Sequence, residues 1–356
     1  MTLAECIAAV RDGDDARYDA AERELARGGA SVAEAVLAAI ASVTSKAAAR
    51  RLADVVWVMT DPGVVPVLVR ALRDDSLSEG VRSKLLDVVS RLGGDGVFEL
   101  LKARLEAEPG RWRSVARHLG RLGDARGVAL LRRLVRENPA TDGDSAEAVA
   151  EVIVALARLG DFDEVRIVEG LTRHGSVAVR LAAVRALSHA VGPDTLATLS
   201  SLRGEPSSEV RLQALRALFL LGLPECVEPI AALTRDPDAA LASIAMARLE
   251  ELTGSSDVAL ARAWAARVAG DARCRRRGEP IDYGRLAEES LAEGERDVSE
   301  ELEIRTGATF GSALPPLLPM DPDEQERLAR AWRDRELPRF EVGGHYRHGF
   351  AVRVTP

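Results

Sequence analysis

A chain of 356 residues has room for two ordinary domains or for one elongated array of stacked units. Its hydrophobic content of 47% comes with only 4% aromatic residues, which favours helices packed through Ala, Leu and Val over an aromatic-rich sheet. The formal charge of −8 argues against generic affinity for DNA, RNA or anionic lipid, which needs Lys and Arg to neutralise phosphates, and leaves room only for a local basic patch.

The opening MTLAECIAAVRDGDD has no basic leader and places Glu5 inside its apolar stretch, and no apolar run approaches the ~18 residues of a membrane span. A cytoplasmic protein away from the membrane is expected. Cys6, Cys226 and Cys274 form no CxxC pair, which fits a reducing compartment and offers no start for a zinc or redox motif. Segments ending in Gly or Asp then recur near Gly28, Asp61, Gly93, Gly123, Gly160, Gly192, Gly222 and Gly254, spaced by 30 to 37 residues. Self-similarity at this period predicts stacked helical hairpins, because one pair cannot bury its apolar face alone.

Within this array the segment from Arg111 to Arg136 is the most pointed feature. It carries Arg111, Arg113, Arg117, Arg121, Arg126, Arg132, Arg133 and Arg136 against one acid, Asp124. Arg113, Arg117 and Arg121 repeat every fourth residue and so share a helix face, with Trp112 and His118 beside it. Such a face suits phosphates or an acidic peptide, bound by forked guanidinium hydrogen bonds with Trp112 as a stacking surface. Repeat register sets Arg117 level with Asp87, so neighbouring carboxylates are expected to neutralise part of the stripe.

Further on, VRLAAVRALSHAVG at 179–192 returns as VRLQALRALFLLG at 210–222. Val179, Ala183, Ala186, Leu187 and Ala190 follow the helical period, and Leu181 and Val184 add a second apolar face. This predicts a helix covered on two sides by its neighbours. The Gly after each such helix ends it, and the Pro or Asp that follows starts the next.

The pattern VR..A..AL..LG, clearest at 79–94 and 176–233, resembles the HEAT repeat and its bacterial relatives with phycobilisome-lyase-like repeats, of armadillo type. The resemblance covers roughly residues 1–254. It implies an all-α, right-handed α-solenoid of about seven HEAT-like helical hairpins and is nearly silent about activity. HEAT-fold deoxyhypusine hydroxylases carry His-Glu dipeptides as iron ligands, and no such dipeptide occurs here. Bilin lyases that share these repeats need a chromophore pocket, for which no residue pattern speaks.

After Gly254 the repeat fades, and residues 255–356 hold seven of the thirteen aromatics: Trp264, Tyr283, Phe310, Trp332, Phe340, Tyr346 and Phe350. A C-terminal cap is expected here. Two echoes remain, LTG then ARAW at 252–264 and RTG then ARAW at 305–332. RRRGEP and GSALPPLLPMDPDEQ read as loops, and the closing RFEVGGHYRHGFAVRV as a short hairpin or an extended tail. His345 and His348 lack further ligands nearby, so no metal is expected. Cys226 follows Pro224 near a helix start but has no histidine close in sequence, and it reads as a buried apolar residue.

No GxxxxGK[ST], GxSxG or HExxH motif is present. The expectation is therefore a non-enzymatic scaffold that needs no cofactor and binds a partner protein or acidic peptide on the concave solenoid surface. Its candidate contacts are Arg111, Trp112, Arg113, Arg117, His118 and Arg121. The alternative is a nucleic-acid-modifying enzyme similar to the HEAT-like DNA glycosylases, using the 111–136 segment, with the overall charge against it.

Overall fold

Helices separated by short loops account for nearly all the regular structure in the computed structural model, which describes residues 1–13, 16–74, 77–140, 142–293, 296–308 and 322–352. The chain divides between residues 127 and 128 into two units. The first contains α1 (Leu3–Asp12), α2 (Tyr18–Ala26), α3 (Ala30–Ser42), α4 (Lys46–Val58), α5 (Val65–Leu72), α6 (Glu79–Leu92), α7 (Val97–Ala107) and α8 (Trp112–Leu122). The second opens in α9 (Gly127–Glu137) and continues with α10 (Gly143–Arg158), α11 (Val165–Leu171), α12 (Val177–His189), α13 (Thr195–Ser201), α14 (Ser208–Leu221), α15 (Val227–Leu233) and α16 (Ala239–Thr253). After these come α17 (Val258–Arg267), α18 (Tyr283–Glu293), α19 (Arg296–Thr306) and α20 (Pro322–Arg335).

The helices pair as the period requires. In the first unit α4 packs on α6 and α6 on α8; in the second α10 packs on α12, α12 on α14 and α14 on α16. The intervening helices each lean on the next in sequence, α11 on α12, α13 on α14 and α15 on α16. α12 is thus covered from several sides. Val179, Ala183, Val184, Ala186, Leu187 and Ala190 are all buried, while Leu181 is half-buried.

The arginines of the VR pairs at 179–180 and 210–211 stitch successive repeats together. Arg211 donates to both carboxylate oxygens of Asp236 at 2.7 Å, and its Nη1 donates to the carbonyls of Glu205 and Pro206 in the loop before its own helix. Arg180 repeats the arrangement one unit earlier, reaching Glu205 at 2.6 Å and the carbonyls of His174 and Gly175 at 2.9 Å. Each guanidinium therefore satisfies loop carbonyls on one side and a carboxylate 25 residues downstream on the other.

Gly192 departs from the repeat-ending Gly93, Gly123, Gly160, Gly222 and Gly254. α12 stops at His189 on an extended Ala190, and Gly192 does not adopt the left-handed conformation found at Gly222 and Gly254. What constrains it is space: a Cβ there would lie 2.8 Å from the Glu169 carboxylate and 3.1 Å from Val165.

After α16 the chain builds the same device twice. RRRGEP, read above as a loop, is a hairpin in which β1 (Arg275–Arg276) pairs antiparallel with β2 (Glu279–Pro280). The closing stretch pairs β3 (Tyr346–Arg347) with β4 (Phe350–Ala351). Both turns have two positive-φ residues, Arg277 (50°) and Gly278 (83°) in one, His348 (49°) and Gly349 (84°) in the other, the signature of a type I′ turn. Arginine and histidine rarely adopt this conformation, so sequence alone gave no hairpin signal at RRRGEP. Each tip covers the end of a helix that finishes in Thr-Gly. The Arg277 and Gly278 amides donate to the Glu251 and Leu252 carbonyls of α16, and the His348 and Gly349 amides to the Ile304 and Arg305 carbonyls of α19. Thr253 and Thr306 each bond back to the carbonyl four residues earlier, at 2.8 Å. The LTG/ARAW echo thus marks a duplicated helix-plus-hairpin element. Its aromatic core includes Tyr283, Phe340 and Tyr346, whose ring centroids lie 4.8 to 5.5 Å apart. Of the loop expected at 311–325, residues 311–321 lie outside the described residues, and Pro322 opens α20.

Candidate functional site

The arginine stripe of the first unit is engaged with acids of the preceding repeat. Arg111, in the turn before α8, bonds Glu108 and reaches Glu79 at 2.5 Å. Trp112 begins α8 half-buried. Arg121 donates at 2.7 Å to Asp87, the acid that register sets level with Arg117. Arg113 and Arg117 also have partners. His118 does not share the exposed face: it is buried, its Nδ1 stands 3.8 Å from Asp87, and burial lowers its pKa to about 4. Beyond α8, Arg126 chelates Asp124 and stacks over Phe98 at 4.4 Å, and in the second unit Arg132 bridges Asp161 and Asp163. These partners lie mostly 25 to 34 residues away in sequence, which is why a local count of charges overstates the free positive charge.

The remaining sequence candidates are enclosed. His345 Nε2 lies 2.6 Å from the Ala272 carbonyl, and His348 lies parallel to His189, so the two do not converge on a common point. Among the described residues no group of three or more His, Cys, Asp or Glu is placed to hold a metal. Cys226 is fully buried, and burial pushes its thiol pKa up to about 12.

A groove in the second unit gathers more chemistry than these positions. Two adjoining cavities of about 700 and 570 Å³ share Arg248 and Glu301. The floor comes from α12, α14 and α16, and α19 supplies a wall through Glu300, Glu301 and Ile304. Each floor helix contributes one arginine: Arg185, Arg216 and Arg248. Arg185 and Arg216 occupy the seventh position of the two copies VRLAAVR and VRLQALR, 31 residues apart. That recurrence was visible in the sequence, but without a structure nothing separated these exposed arginines from the half-buried Arg180 and the buried Arg211 five residues before them.

The groove's charges are unequally spent. Glu301 is buried, accepts from Arg305 at 2.8 Å and lies 3.6 Å from Arg276; Glu251 is shared by Arg248 and Arg276. Arg248 is also laid over the Phe219 ring at 4.9 Å, which fixes its guanidinium in place. Among the described residues Arg185 has only a loose, exposed pair with Glu209 at 3.9 Å. Arg216 is exposed and makes no hydrogen bond or ion pair among the described residues. Gln213, one turn before Arg216 on α14, reaches Ser188 at 3.5 Å.

Stacked helix pairs with a charged groove along one row define a helical-repeat protein, and residues 165–270 match the family of HEAT repeats. Among solved structures the chain is similar to the complex of CpcE and CpcF of phycocyanin lyase from Nostoc sp. PCC7120, with 19% identity over 69% of this chain and 95% of that one at a TM-score of 0.42. An engineered protein gives 17% identity over 94% and 98% at 0.39, and human deoxyhypusine hydroxylase in complex with glycerol 15% over 63% and 98% at 0.27. No curated protein matches the chain.

Proposed function

We propose that the protein is a non-enzymatic repeat scaffold that binds a segment of a partner protein in the groove of its second unit. The carrying observation is the row formed by α12, α14 and α16, each of which turns an arginine into one continuous depression. Stacked helical repeats create extended concave surfaces that serve for recognition. Residues 255–356 act in this reading as a cap, with α19 supplying the groove wall. The face of Arg113, Arg117 and Arg121, flanked by Arg111 and Trp112 and without the buried His118, is a subsidiary contact on the first unit. The Arg121–Asp87 pair is partly exposed, and exposed pairs contribute only ~0–1 kcal/mol, so an acidic partner can compete for it. Three free, buried cysteines support a reducing, cytoplasmic setting, and no helix among the described residues is long and apolar enough to cross a membrane.

The test is retention of a partner from the native host. Charge reversal of Arg185 and Arg216 to Glu, with helical content checked by circular dichroism, removes a specific partner from the pull-down; reversal of Arg113, Arg117 and Arg121 weakens it. An unchanged partner list refutes the reading. The full-length protein flows through a heparin column at physiological salt, and retention there favours a nucleic-acid enzyme instead.

A further inference from the structure

We infer that the groove recognises an extended acidic peptide whose carboxylates recur at every third residue. This rests on the reading of the groove as a partner-binding surface and adds the chemistry of the partner.

The spacing argument starts from the helices. Packed neighbours lie ~8–10 Å apart, and a peptide in the extended polyproline II conformation advances about 3.1 Å per residue with about three residues per turn, so one crossing α12, α14 and α16 turns every third side chain to the groove and meets a new helix at each of them. Arg185 and Arg216 stand at equivalent positions on adjacent helices, and Arg248 continues the row on the third. Arg185 and Arg216 can each fork onto one carboxylate, whereas Arg248 is already held by Glu251 and the Phe219 ring and adds its charge at the end of the row. Between the arginines, Gln213 offers a carbonyl and an amide from the same face of α14, the pair of groups that reads an extended backbone.

The charge pattern selects a peptide over a continuous polyanion. Arg216 has no described partner and Arg185 only a loose one, so each can accept a carboxylate without breaking a buried pair. Glu300 on the wall and Glu209 beside Arg185 are exposed, and they repel a ligand that carries charge at every unit. A segment with neutral residues between its acids places those residues opposite the carboxylates. The groove therefore reads spacing as well as sign.

Fluorescence anisotropy with the full-length protein tests this, using a labelled peptide with Glu at every third position and Gly-Ser between. An isomer with its Glu residues contiguous and a single-stranded oligonucleotide of equal charge serve as comparisons. The spaced peptide is expected to bind at least about tenfold more tightly than either, and Arg216→Gln to weaken it by about tenfold, the worth of one charge-assisted hydrogen bond. Arg216→Gln breaks no described contact, so an unchanged melting curve accompanies the loss. Equal binding of the isomers, stronger binding of the oligonucleotide, or an Arg216→Gln variant that binds as before overturns the inference. A photo-crosslinking residue at Gln213 separates the two levels. If it traps a protein in the native host while the spaced peptide fails to bind, the acidic-peptide inference falls and the scaffold reading stands; if neither occurs, both fall.

Discussion

The imidazole of His348, at the tip of the closing hairpin, lies parallel and edge to edge with that of His189 in α12, with ring centroids 5.4 Å apart, planes within 3° and Nδ1 of His189 3.3 Å from Nε2 of His348. Burial holds His189 at a pKa of about 3 and His348 well below 6.5, and Arg158 and Arg347 add positive charge beside them. At neutral pH one ring donates and the other accepts. The pair therefore fixes the last hairpin against the repeat array only while both are uncharged.

In the unfolded chain these rings titrate near 6.5, so between that value and about 3 the unfolded state binds the extra protons. Stability from the pair is complete above pH 6.5 and is lost as pH falls toward 3. Thermal denaturation across that window checks it. His348→Asn, which keeps a residue tolerant of the left-handed conformation, is expected to flatten the slope.

Arg211→Met leaves Asp236 buried without its two donors and leaves the Glu205 and Pro206 carbonyls unmet. A loss of about 3 kcal/mol is expected by urea unfolding, because removing one partner of a buried pair strands the other. Arg216→Met, with no such partners, is expected to change stability by under ~0.5 kcal/mol.

Gly278→Ala and Gly349→Ala both force a Cβ into a left-handed turn, where it would meet the carbonyl oxygen of Thr253 at 2.8 Å or Thr306 at 3.1 Å. Each is expected to cost ~1–3 kcal/mol and to raise protease sensitivity after α16 or α19 respectively. Limited proteolysis with mass mapping distinguishes the two.

Cys226 and Cys274 are wholly inaccessible, as is nearly all of Cys6. With the Cys226 thiol pushed up to about 12, thiol reagents at neutral pH are expected to label none of the three rapidly in the native protein and all three after denaturation. Fast labelling of Cys226 in the native state contradicts its burial.

The repeat was legible because its signals are local: Gly after a helix, apolar residues at i, i+4, i+7, and Pro or Asp before the next helix. Val179, Ala183 and Leu187 carried the buried face of α12 without help from any other segment. The site was harder to read for the opposite reason. Arg121 finds Asp87 and Arg126 finds Glu99 in the preceding repeat, so a count confined to residues 111–136 sees charge that the fold has already neutralised. Arg185 and Arg216 sat in the most conspicuous repeated stretch, yet only burial distinguishes them from Arg180 and Arg211. The hairpin at 275–280 gave no warning because an arginine holds the left-handed position that Gly or Asn usually announces.

The pairing of Arg180 with Glu205 and of Arg211 with Asp236 has a consequence for how such a chain can change length. Each arginine depends on an acid the same distance downstream, so excising residues 180–210 as a block brings Arg211 to the place of Arg180 with its own acid still attached. A deletion of whole units leaves every interior charge matched, whereas one that is a few residues too long or too short orphans a guanidinium. The stitching thus makes the array extensible in quanta, and its ruler is written in the buried ions more strictly than in the apolar residues around them.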